Sequence, residues 1–65
     1  MFSQILRIKG KSGRDIPVQL PKLMQDNDLL TFEEHLYIVK SVMMEVQEID
    51  GNAQGQYIVE IQKLK

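Results

Sequence analysis

The chain has no cysteine, a single histidine and two prolines, and each scarcity removes a class of chemistry. Without cysteine there are no disulfides, no thiolate metal ligands and no thiol nucleophile. One imidazole is too few for a common zinc or iron site, so the sequence predicts neither metal nor cofactor. No run approaches the roughly 18 consecutive apolar residues that span a bilayer. The start, MFSQILRIKG, lacks the apolar stretch and small-residue cleavage site of a secretion signal. These shortages predict a cytoplasmic protein. The formal net charge is -1, which gives no general attraction to nucleic acid or anionic lipid.

What is there fits one small globular domain: 65 residues, 43% hydrophobic and 26% charged. A chain of this length buries roughly 60% of its unfolded surface, so its stability margin is thin. With disulfides and metals excluded, self-association is the remaining source of extra burial, and a homo-oligomer is expected. Charge is unevenly spread. Arg7, Lys9, Lys11, Arg14 and Lys22 dominate residues 1–23 against Asp15, whereas Asp26, Asp28, Glu33, Glu34, Glu45, Glu48 and Asp50 dominate residues 24–50 against Lys40. Solvated faces account for such clusters, as does a basic end that meets an acidic middle within the fold or between subunits.

QILRIKG and DIPVQLP both alternate apolar and polar residues, the period of a half-buried strand. Gly10 and Gly13 between them permit a tight loop, so the two runs predict a hairpin. Pro17 has no N–H to give to a ladder, which places the second strand at an edge. Pro21 ends that strand, Asp26, Asn27 and Asp28 supply turn chemistry, and LLTF reads as a short strand.

Residues 32–49 admit two readings. Phe32, Leu36, Val39, Met43 and Val46 recur at helical spacing, with Thr31 and Glu34 as a capping box and Gly51 as a stop. That reading gives a strand-strand-helix-strand α+β fold. Against it, Tyr37, Ile38, Val39, Val42, Val46 and Ile49 favour a pleated surface. Tyr37 and Val39 alternate in one phase and Val42, Met44 and Val46 in the other. One β-bulge near Lys40 and Ser41 would bring both sets to a common face. DGNAQG then reads as a turn-rich loop, and QYIVEIQKL as the return strand of a second hairpin.

The line DLLTFEEHLYIVKSV resembles a pattern of short bacterial and phage-type proteins that form small SH3-like barrels. There an aspartate precedes an apolar pair, an acidic turn follows Phe, and Tyr-x-Val-x-x-Val leads to a C-terminal hairpin. The resemblance covers residues 28–42 well and 43–64 loosely. Such patterns often carry glycine in the turn, where this chain has Glu34 and His35. The resemblance implies an all-β fold of about five strands, a small barrel or curled antiparallel sheet, and a phage or mobile-element origin; it implies no particular activity.

In the all-β reading Leu6, Ile8, Ile16, Val18, Leu20, Leu29, Tyr37, Val39, Val42, Met44, Val46, Tyr57, Val59 and Ile61 point inward. Ile5, Ile38, Met43, Ile58 and Leu64 are left on the outer face, and an apolar patch there marks an interface, with Ile38, Met43 and Ile58 at its centre. Two other binding readings follow from charge. Arg7, Lys9, Lys11 and Arg14 along the first hairpin could meet phosphate, although aromatic platforms for bases are missing beside them. Glu33, Glu34, Glu45 and Glu48 could form an acidic surface that occupies a basic protein groove as an inhibitor or DNA mimic would.

The sequence offers no catalytic constellation. His35 stands alone, and Glu33 and Glu34, as neighbours, diverge in either a strand or a helix. Ser12 in GKSG lacks the glycine spacing and following helix of a phosphate loop. The expected function is therefore non-enzymatic: a binding protein that pairs first with its own kind through strand edges and the outer apolar patch.

Overall fold

The computed structural model describes residues 1–10 and 15–64. Five strands follow in order: β1 (Phe2–Ile8), β2 (Asp15–Leu20), β3 (Leu29–Phe32), β4 (His35–Ile49) and β5 (Asn52–Lys63). They form one sheet, ordered β2-β1-β5-β4-β3, curled into a half-barrel. Residues 35–49 are a strand, so the α+β alternative with a helix over 32–49 is overturned. The β-branched and aromatic side chains there outweigh the helical spacing because β5 supplies a cross-strand partner along nearly the whole segment.

The bulge is where alternation requires it: Val39 pairs with Ile61, Ser41 with Glu60, and Lys40 is the extra residue between them. It turns both apolar phases of β4 toward one face. Pro17 lies in β2 at the edge of the sheet, where its missing donor costs no ladder bond. One pairing is parallel, β1 against β5. It joins the two hairpins side by side, and the rest of the sheet is antiparallel.

Two tight turns join β4 to its sequence neighbours β5 and β3. Asp50 and Gly51 take φ values of 51° and 81°, a left-handed pair that Asp-Gly satisfies readily. The DGNAQG loop is thus shorter than its composition suggests, because Asn52 already belongs to β5. Glu33 and Glu34 take φ values of 51° and 69° between the paired residues Phe32 and His35. The same turn geometry is met here without glycine, and a left-handed residue that carries a Cβ costs about 1–2 kcal/mol. Glu34→Gly should therefore raise stability by about 0.5–1 kcal/mol after the entropic penalty of glycine; an unchanged or lower urea midpoint would show that the turn is relaxed as it stands.

The core sits on the concave face. Leu6, Ile8, Met24, Tyr37, Val39, Val59 and Ile61 form its buried cluster, and Ile16, Val18, Leu20, Leu30, Phe32 and Val42 pack around it. Residues 21–28 join the two edges of the sheet and strap this face, with Met24 inserted into the cluster. Gln4, which is 2% exposed, fastens the strap: its Nε2 donates to the Lys22 carbonyl at 2.8 Å and its Oε1 accepts the Met24 N–H at 2.9 Å. Farther on, the Asn27 N–H donates to the Val39 carbonyl and the Val39 N–H to the Asp28 carbonyl, so the strap also docks on the edge of β4.

Three residues expected inside are not. Leu29 is 59%, Met44 50% and Val46 62% exposed. Leu29 pairs with Ile38 and Leu30 with Tyr37, so strand alternation sends Leu30, and not Leu29, to the core. Met44 and Val46 do lie on the core-side face, but β4 and β5 run on past the sheet and leave that face bare.

Candidate interaction surface

The register explains the bare ribbon. β1 reaches β5 no farther than the Gln4–Tyr57 pair, and β3 reaches β4 no farther than Ile38. Toward the Asp50–Gly51 turn the β4–β5 hairpin is therefore two-stranded, and the molecule measures 43 Å along its longest axis against 26 and 19 Å. From its root at Met44 the ribbon exposes Met44 and Val46 on the core-side face and Ile49 on the other, and Met43, just before it, is exposed on the convex face. Opposite Val46 stands Gly55, which has no side chain to share the cover; a methyl group built there would lie 2.8 Å from the Met44 sulfur. That sulfur fills the notch. Two-stranded hairpins are marginal in water by themselves, and exposed apolar side chains on one mark a surface that another body covers.

On the convex face the register lines up Pro17 with Ile5, Ile5 with Ile58, and Ile58 with Met43. Ile58 lies in the middle of this row and is 2% exposed. Its expected place in an open interface is corrected: the parallel strand β1 brings Ile5 to one flank while Met43 covers the other. Met43 itself is half exposed. Ile38 is half-buried and stands apart, opposite Gln62, with the Ser41–Glu60 pair between it and Met43. The three expected interface residues thus divide into a buried residue, its exposed neighbour and a separate site. Beside Ile5 and Pro17, together with Ser3, Gln19 and Gln56, the surface dips into an open depression of about 350 Å³ that bears no charged side chain.

The charged candidates also separate. Arg7 donates to Asp15 from both Nε, at 2.9 Å, and a terminal nitrogen, at 3.1 Å, and Glu60 pairs with it from the other side. A guanidinium already paired with the Asp15 carboxylate, with Glu60 beside it in the register, is poorly placed to recruit phosphate. Lys9 is exposed in the following turn, and Lys11 and Arg14 lie outside the described residues. Glu33 and Glu34 form the turn at one end of β4, whereas Glu45 and Glu48 lie near its other end, beyond the bulge at Lys40. Glu45 and Glu48 also point to opposite faces by alternation, so the four do not make one acidic surface.

His35 is exposed at the start of β4. Among the described residues no three His, Asp or Glu side chains gather to hold a metal, and no helix is long and apolar enough to cross a membrane.

Two carboxylates are held below the usual Asp range. The Asp28 carboxylate accepts the Gln25 N–H at 2.9 Å and lies 3.0 Å from the Lys22 ammonium, and these contacts, the backbone bond first, lower its pKa. Hydrogen bonding to Arg7 does the same for Asp15. Because the folded values are depressed, the stabilisation is present above the unfolded value of about 3.9 and disappears as pH falls through the lower folded values. Asp28→Ala should accordingly flatten the loss of stability below about pH 4, measured as urea midpoint against pH; the parental slope in the variant would contradict this.

Neither of the features sequence reasoning missed, the Gln4 clamp and the open ribbon, had a local signal: Gln4 reads as a polar residue in an alternating strand, and ribbon exposure depends on where neighbouring strands stop. No protein-family model matches the chain, and neither a curated protein nor a solved structure matches it.

Proposed function

We propose that the chain is a non-enzymatic interaction module that works by associating with a second copy of itself. The observation that carries this reading is the projecting β4–β5 ribbon, with Met44, Val46 and Ile49 exposed on strands whose outer edges have no neighbour among the described residues. Such a ribbon gains most from a partner that supplies both backbone hydrogen bonds and apolar cover. The depression beside Ile5 and Pro17 is lined by Ser3 and by glutamines, with no acid or base beside the Ser3 hydroxyl to activate it.

Light scattering behind a sizing column, over a tenfold concentration range at low and high salt, tests the reading. The expected result is a mass that rises toward twice that of the chain. A single-chain mass at every concentration and salt would overturn it.

A further inference from the structure

Self-association leaves open which surface pairs and in what register; the following proposal rests on that reading and supplies both. The Asp50–Gly51 turn holds two left-handed residues between Ile49 and Asn52, so those two close the hairpin as a hydrogen-bonded pair. Counting back from it, Gln47, Glu45 and Met43 give their backbone groups to β5, and Glu48, Val46, Met44 and Val42 turn theirs outward. This edge is free of proline and without a strand neighbour among the described residues. The other described edges offer less. β2 carries Pro17, which cannot donate to a partner strand, β3 is four residues long, and β5 beyond the Gln4–Tyr57 pair turns out only Ala53 and Gly55.

On the convex face this stretch of β4 reads Met43, Glu45, Gln47, Ile49 by alternation, and its two apolar ends are both half exposed. We propose that two copies join edge to edge along residues 43–49 of β4, antiparallel about a twofold axis at Val46. A twofold axis that sets neighbouring strands antiparallel stands perpendicular to the sheet, so facing residues share a face and their numbers sum to an even value. An axis at Val46 sets Met43 against Ile49 twice, at non-hydrogen-bonded positions, where side chains approach most closely. Each apolar end thus finds its cover on the other copy. Glu45 faces Gln47, whose amide can donate to it. On the core-side face Val46 meets Val46, and Met44 lies along the stem of Glu48.

The neighbouring registers fail. An axis at Met44 runs the partner's Glu48 and Ile49 onto the bulge and Val39, whose outward N–H and carbonyl are already bonded to the strap at Asp28 and Asn27; it also sets Met43 against Glu45. An axis at Glu45 opposes that carboxylate to its own copy, and like charges directly opposite destabilise a pair. An axis at Gln47 carries Met43 past the end of the partner strand and sets Ile49 against Glu45. With the axis at Val46, the partner's turn comes beside Ser41 and Val42 and stops short of the strap. Met44, Val46 and Glu48 then spend their outward backbone groups on the other copy.

The chain has no cysteine, so single cysteines in the full chain report the register as disulfides between copies. Opposed residues of an antiparallel pair lie about 4.5–5.5 Å apart between Cα atoms, within the span of a disulfide. Met43, Met44, Val46 and Ile49 are all about half exposed or more, so the fold should tolerate the substitutions, and thermal melting checks that it does. In a glutathione redox buffer Val46→Cys should link to itself. Met43→Cys mixed with Ile49→Cys should link roughly ten-fold faster than either does alone. Met44→Cys should stay at that background. Self-linkage of Met44→Cys, or of Val46→Cys without the mixed pair, would overturn the register. A parent that dimerises by light scattering while no cysteine links above background would overturn the edge and leave self-association standing. A parent that stays single over the whole range would overturn the self-association reading and this one with it.

Discussion

Gln4→Leu is expected to remove much of the stability of the fold, although it makes the interior more apolar. Gln4 is almost wholly buried, and its amide group joins β1 to the strap through the Lys22 carbonyl and the Met24 N–H. Leucine fills a similar volume but can bond neither. Each buried backbone group left without a partner costs about 1–3 kcal/mol, and added cover from leucine offsets little, because the glutamine stem already occupies the site. The strap would also lose its hold on β1 and loosen Met24, which belongs to the buried cluster. A total of about 2–5 kcal/mol is to be set against roughly 3–10 kcal/mol for a chain of this length at 0.05–0.15 kcal/mol per residue. Urea denaturation monitored by far-UV circular dichroism measures the change. A loss below about 1 kcal/mol would mean that the strap contributes little to holding the half-barrel together.

Ile58→Asp separates two accounts of one residue. If Ile58 were an exposed interface residue, the aspartate variant would remain folded and become a monomer. At 2% exposure between Ile5 and Met43, the variant should instead fail to fold. It forfeits about 1.5–3 kcal/mol of apolar burial and places a carboxylate where desolvation costs several kcal/mol more. Together these are comparable with the whole stability of such a domain. Met43→Asp, at a half-exposed neighbour, is the contrast: the fold should persist with a loss of about 1 kcal/mol or less. A folded, monomeric Ile58→Asp protein would contradict this burial.

What could be read in the sequence was whatever short-range chemistry decides. Alternation in QILRIKG and DIPVQLP gave the first hairpin, Pro17 its position at an edge, and the change of phase after Val39 the bulge. The β-branched content of residues 37–49, with the resemblance over residues 28–42, favoured the all-β architecture, but the helical alternative stayed open because Phe32, Leu36, Val39, Met43 and Val46 also recur at helical spacing. Long-range pairing was not legible. The parallel contact of β1 with β5 joins residues far apart in the chain, and no local pattern specifies it; with it went the burial of Ile58. The exposure of Met44 and Val46 was hidden for a related reason. Alternation assigns a face to a side chain, but only the lengths of the neighbouring strands decide whether that face is covered. The Glu33–Glu34 turn lacked its usual glycine, so its position was legible from Phe32 and His35 sooner than its backbone conformation. Charge clusters were the least informative, because residues close in sequence, such as Arg7 and Asp15, proved to neutralise one another across a pair of strands.

The central claim, that the open edge of β4 is an assembly surface, is tested most directly by amide hydrogen exchange at several protein concentrations. Protection of the outward-facing amides in residues 40–48 is predicted to rise with concentration, while that of β2, at the proline-bearing edge, does not change. Equal protection of residues 40–48 at all concentrations, in a sample whose mass shows dimers, would contradict it.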